Sequence, residues 1–177
     1  RPLSRPACSL GAPDVLFVDV DGGIAPCGAF ADSVHPSLPA LADRMPLPAS
    51  TPASYKAECG SCHLAYPPAL LSAGDWQRTM AGLKEHFGSD AAVDPKIGQE
   101  IGAFLERHAG NAGKLGSAGE PPHISQTAHF VREHRKIPAK FWQDPRVKSA
   151  ANCEGCHRGA AEGRYSEHDI AIPELRR

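Results

Sequence analysis

Apolar residues recur at helical spacing in two stretches of the chain. Trp76, Met80, Leu83 and Phe87 lie three or four apart between Asp75 and Phe87, with Gly88 as a stop. Ile97, Ile101, Phe104 and Leu105 share one face of a segment running from Asp94 or Pro95 to Ala109, stopped by Gly110. Both read as amphipathic helices. A short helix is expected over residues 51–59, capped by Ser50 or Thr51, and another around 127–135, followed by an apolar stretch at 137–142. The extended pattern at 15–22 reads as a strand and a turn. Between the helices the chain is loop-like, as its 17 Pro and 17 Gly require. Nine of those prolines fall in residues 1–54, which marks residues 1–50 as a Pro-rich extension. The Gly-rich run GNAGKLGSAGEPP has few apolar anchors and reads as a linker. The expected organisation is therefore an extension at 1–50, a unit at 51–110, a linker at 111–122 and a second unit at 123–177. The fold class is mainly α, and the two units share no repeat.

Composition narrows the function. A net charge of −1 lacks the basic excess of a nucleic-acid binder, and no apolar run approaches the roughly 20 residues needed to cross a bilayer. The chain has only 2 Trp, 3 Tyr and 6 Phe, a thin supply of large rings for two cores. A short DxDG sequence, Asp19 to Gly22, resembles a phosphatase nucleophile motif or the start of a calcium loop. The first needs a doubly wound sheet that does not fit beside the helices, and the second lacks its later carboxylates.

Four of the six cysteines supply the chemistry. Cys59-Gly60-Ser61-Cys62-His63 and Cys153-Glu154-Gly155-Cys156-His157 both read CxxCH. This is the covalent attachment signature of haem c. Two thiols one short turn apart add across the two vinyl groups of a haem, and the adjacent imidazole becomes the proximal ligand of the iron. A four-cysteine zinc site is disfavoured by the 90 residues between the pairs, and a thioredoxin-like dithiol by the lack of a βαβ pattern. Two covalently bound haem c groups are expected, and their apolar planes supply the packing surface that the sequence lacks. Haem c is attached outside the bacterial cytoplasm, so a periplasmic, exported protein is expected, its signal peptide absent from this sequence. A disulfide between Cys8 and Cys27 is permitted there.

The other side of each iron needs a partner. Met45 and Met80 are less suited than histidine, because Met80 sits within a core stripe and Met45 in the Pro-rich segment. The order helix, CxxCH, loop, helix, helix is similar to that of a class I cytochrome c, whose sixth ligand lies just before the last helix. Here His86 fills that slot, with His108 as competitor. For the second haem the candidates are His134, which shares a helical face with Phe130, then His129 and His123, or no protein ligand at all.

The residues Tyr55 through Leu71, Trp76, His86 through Ala91, Glu133-His134, Trp142 and Asn152 through His157 resemble those of the small soluble dihaem cytochromes c of proteobacteria. The resemblance spans roughly residues 55–173. It implies a class I-like N-terminal haem domain, a C-terminal haem domain of a different, loop-rich type, and bis-histidine ligation by His63 with His86 and His157 with His134. Tyr55, Trp76, Phe130 and Trp142 are the expected haem contacts beside Cys59, Cys62, Cys153 and Cys156. The implied partners are an oxygen-binding monohaem cytochrome c and a membrane b-type cytochrome linked to the quinone pool. The expected function is electron transfer without catalysis. The alternative is a haem enzyme or gas sensor with one open iron acting on peroxide, a nitrogen oxide or oxygen.

Overall fold

The computed structural model describes residues 16–18, 24–26 and 44–175. The chain divides into two units, Arg1–Leu38 and Pro39–Arg177. In the first, β1 (Leu16–Val18) pairs antiparallel with β2 (Ile24–Pro26), Phe17 opposite Ala25. The expected strand is one arm of a hairpin whose second arm is too short for alternation to register. Cys8 and Cys27, with their candidate disulfide, lie outside the described residues.

The second unit is helical: α1 (Ala53–Cys59), α2 (Ala73–Ala81), α3 (Pro95–Arg107), α4 (Ala112–Leu115) and α5 (Ala128–His134). Helix α1 starts after Pro52 without a side-chain cap, and Thr51 Oγ1 instead donates to the Pro48 carbonyl at 2.5 Å. Helix α2 begins at Ala73, two residues before the expected start at Asp75, because Ser72 and Asp75 form a reciprocal capping box. It ends at Gly82, well short of Phe87. Leu83 and Phe87 keep helical phase in the sequence, yet the chain tightens into a 3-10 turn at Leu83–Glu85 and then reverses. Asp94 caps α3 by accepting from the amides of Lys96 and Ile97, and Pro95 occupies the first turn.

Two apolar cores form within this one unit. Tyr55, Leu71, Trp76, Ile101, Phe104, Leu105 and Ala118 make the first, and Phe141, Val147, Ile170 and Ile172 the second. The segment expected to be a linker is instead packed. Asn111 caps α4, and Leu115 and Ala118 are buried, Ala118 completely. Its glycines allow the close approach that a flexible tether would not need.

The end of the Pro-rich extension also packs against the helical unit. The Met45 amide donates to the Gly163 carbonyl at 2.8 Å, and Leu47 packs against the first core. Gly163 is required here. It has φ +72°, and a Cβ on it would lie 2.4 Å from the backbone nitrogen and Cα of Pro46. Gly163→Ala should therefore lower the unfolding free energy of the holoprotein by about 2 kcal/mol or more, since the left-handed backbone alone costs about 1–2 kcal/mol. Denaturant unfolding followed at the Soret band measures this. An unchanged midpoint would show that the 44–47 segment is not held by this contact.

Candidate haem-binding site

Each CxxCH follows from local backbone. Helix α1 runs into Cys59, and Gly60 closes it, leaving Cys62 and His63 on the exposed turn that follows. The second motif starts as a 3-10 turn, Cys153–Gly155, and the Ala171 amide donates to the Cys156 carbonyl, pinning it to the C-terminal segment. Burial, with Glu58 beside it, pushes the Cys59 thiol up to about 11, and burial does the same for Cys153. Before a haem is joined to them both sulfurs are thus held as neutral thiols, whose S–H would add across a vinyl group. Among the described residues, no group of three or more His, Cys, Asp or Glu side chains stands together as a metal site, so the four cysteines do not form a zinc cluster.

The histidines form two pairs. The rings of His63 and His86 have centroids 6.3 Å apart, and those of His134 and His157 are 6.1 Å apart. With metal–imidazole bonds of about 2 Å, two trans ligands on one iron stand about 6 Å apart between ring centres. Both pairs have the spacing that one haem iron needs. The ring planes are inclined by 35° in the first pair and are nearly perpendicular, at 85°, in the second.

The tautomers fit as well. His63 Nδ1 bonds the Leu64 carbonyl at 2.8 Å and His134 Nδ1 bonds the Phe130 carbonyl at 2.9 Å. A carbonyl oxygen only accepts, so each Nδ1 carries the proton and each Nε2 keeps its lone pair for a metal. Burial, then the neighbouring His63 ring, holds His86 below the usual histidine range. Burial does so for His134 against the opposing pull of the Phe130 carbonyl and Glu133.

His86 is presented by a reversal that the periodicity hides. Phe87 and Gly88 both have positive φ, 49° and 85°, and the Ser89 amide donates to the His86 carbonyl at 3.0 Å. This is the backbone signature of a type I′ turn, and the non-glycine Phe87 held in it marks a constrained position. His108, the competitor, lies elsewhere: its ring is 5.1 Å from Phe104 and its Nε2 is 3.2 Å from Ser50 Oγ. His129 is tied to Arg132 and Glu133 on the surface. The His123 ring lies 4.5 Å from that of Phe87, tilted by 47°, which places it beside the first histidine pair.

The aromatic residues divide by role. Phe130 stacks on His134 at 4.0 Å, and Trp142 stands 5.8 Å from the same imidazole, so both line the second pair. Tyr55 and Trp76 belong to the first core. They are 2% and 6% exposed, Tyr55 lies 5.2 Å from Phe104, and Trp76 Nε1 donates to the Pro68 carbonyl at 2.7 Å. Two tyrosines stand beside the histidines, although neither was among the haem contacts expected from the sequence. Tyr66 stacks on His63 at 4.8 Å and donates its hydroxyl to the Ala151 carbonyl at 2.5 Å, two residues before Cys153. Tyr165 meets His157 edge-on at 5.5 Å. Tyr66 thereby ties the loop of the first motif to that of the second, across 85 residues of sequence.

Comparison with known proteins finds dihaem relatives. The family model described as dihaem cytochrome c matches residues 55–165. A solved diheme cytochrome type c from Shewanella baltica is 38% identical, with a TM-score of 0.60, covering 68% of this chain and 92% of its own. A diheme cytochrome c from Rhodobacter sphaeroides is 32% identical, with a TM-score of 0.59, covering 66% of this chain and 98% of its own. No curated protein matches the chain.

Proposed function

The chain belongs to the dihaem cytochrome c family, with two covalently bound haem c groups, and from that membership we propose that it is an electron carrier in which both irons are closed by histidine pairs. The observation that carries this reading is the pairing of His63 with His86 and of His134 with His157, each at a separation that would let the two rings hold one iron. When bound, each haem supplies one reversible electron through its iron. The protein holds the ligands still around that change. His63 and His134 are oriented by carbonyl bonds, and His86 by the turn at Phe87 and Gly88. Two imidazoles also keep the potentials low relative to His/Met sites.

In this reading the protein works in the periplasm. It takes electrons from a membrane b-type cytochrome linked to quinone and passes them to a soluble haem protein such as an oxygen-binding monohaem cytochrome c. Support comes from the family and from the absence, among the described residues, of any helix long and apolar enough to cross a membrane. The test is a visible spectrum of the reduced holoprotein before and after carbon monoxide, which binds only an open or easily displaced iron position. The expected result is an unchanged low-spin spectrum with two reversible one-electron steps in spectroelectrochemistry. A large shift in half the haem would instead favour an enzyme or sensor with one open iron.

A further inference from the structure

Among the described residues two large apolar side chains are exposed, Phe87 at 53% and Val131 at 55%. Each lies beside a different histidine pair. Phe87 follows His86, and Val131 is on α5, three residues before His134. Their charged surroundings differ. Residues 128–143 carry Arg132, Arg135, Lys136 and Lys140 against the single carboxylate Glu133, in a chain whose net charge is −1. Those four cations are all exposed. Arg132 is paired with Glu133 at 3.0 Å, whereas no described carboxylate lies within ion-pair distance of Arg135, Lys136 or Lys140. The turn beside Phe87 has the opposite bias, with Glu85 and Asp90 against Lys84.

A small exposed apolar spot ringed by unpaired charge of one sign is the anatomy of a short-lived docking surface, in which the charges steer and the apolar centre seats. Arg135 and Lys136 directly follow His134, and Lys140 is two residues before Trp142, whose ring stands 5.8 Å from that imidazole. The three unpaired cations are thus close in sequence to two side chains that stand at the second histidine pair. We propose that the Val131 surface is the docking face for a one-electron redox protein that presents carboxylates around its own cofactor, and that electrons cross here between that cofactor and the second haem. This rests on the electron-transfer reading above. One electron leaves the reduced partner cofactor and one ferric iron becomes ferrous, with no proton or bond exchanged. A protein partner is favoured over a lipid surface because α5 is 7 residues long and exposes one large apolar side chain, too little to insert into a bilayer.

A reduced, acidic plant-type ferredoxin serves as the probe, mixed with the oxidised holoprotein in a stopped-flow instrument. At about 0.01 M ionic strength, where the screening length is about 30 Å, the parent rate should be high and should fall steeply with added salt. Arg135→Glu, Lys136→Glu and Lys140→Glu together should slow it about tenfold or more and reverse the salt trend. The same charge change at Lys96, Arg107 and Lys114, exposed on α3 and α4, should slow it far less. Equal slowing in the two triple variants would reduce the effect to net charge and overturn the proposal. So would loss of binding to phosphatidylserine vesicles in the first variant with its ferredoxin rate unchanged, since that would make the face a lipid contact. A holoprotein that dithionite cannot reduce reversibly sinks the electron-transfer reading and this surface with it. One that dithionite reduces normally, but whose ferredoxin rate ignores both salt and charge reversal, sinks the surface alone.

Discussion

Replacing His134 by Ala is expected to open one of the two irons. The reduced protein should lose low-spin character in about half of its haem, and carbon monoxide should shift that half and leave the rest alone. The local structure favours a clean result. His134 is the last residue of α5, where Ala is a good helix former, and the variant loses the stack on Phe130, the ring contact with Trp142 and the bond to the Phe130 carbonyl. Neither of the other two candidate histidines stands ready. His129 is held by Arg132 and Glu133, and His123 lies beside Phe87 near the other pair. His129→Ala should therefore leave the spectrum as it was. If His134→Ala leaves it unchanged and His129→Ala does not, the ligand assignment passes to His129.

The features that could be read from the sequence are those whose chemistry is local. CxxCH packs two thiols and an imidazole into five consecutive residues, so neither fold nor contacts are needed to recognise it. Helix α3 was equally legible, since Asp94, Pro95 and an apolar stripe all mark the same element. Helix α2 was not, because Leu83 and Phe87 stay in phase beyond Gly82 while the backbone has already left the α-helix. The turn that aims His86 depends on positive φ at Phe87, a phenylalanine in a conformation that sequence patterns assign to glycine. Residues 111–122 looked like a tether because their apolar content is small, yet Ala118 is fully buried where little volume is available. The contribution of Tyr66 arises from a partner 85 residues away, and that of Tyr165 from an edge-on contact eight residues beyond His157. Neither has a periodicity to betray it.

Trp76 is expected from the sequence to contact the first haem and is packed in the first core, and its substitution separates the two contributions. As a haem contact, its loss would shift the potential or spectrum of the first haem and cost little stability. The structure puts it in the first core, with its indole N–H on the Pro68 carbonyl, among Tyr55, Leu71, Ile101, Phe104, Leu105 and Ala118. Trp76→Ala should then cost about 3–5 kcal/mol, the range for deleting a buried aromatic ring. That is a large part of the roughly 5–15 kcal/mol that holds an ordinary domain. Trp76→Phe keeps most of the ring but leaves the Pro68 carbonyl with the Leu71 amide alone, at 3.4 Å, and should cost about 0.5–1.5 kcal/mol. In the folded fraction of both variants the low-spin spectrum should persist, because His63 is oriented by Leu64 and His86 by its own turn. Denaturant unfolding paired with spectroelectrochemistry decides between the roles. A stability loss graded from Phe to Ala at constant potential assigns Trp76 to the core, whereas a shifted potential at constant stability would return it to the haem.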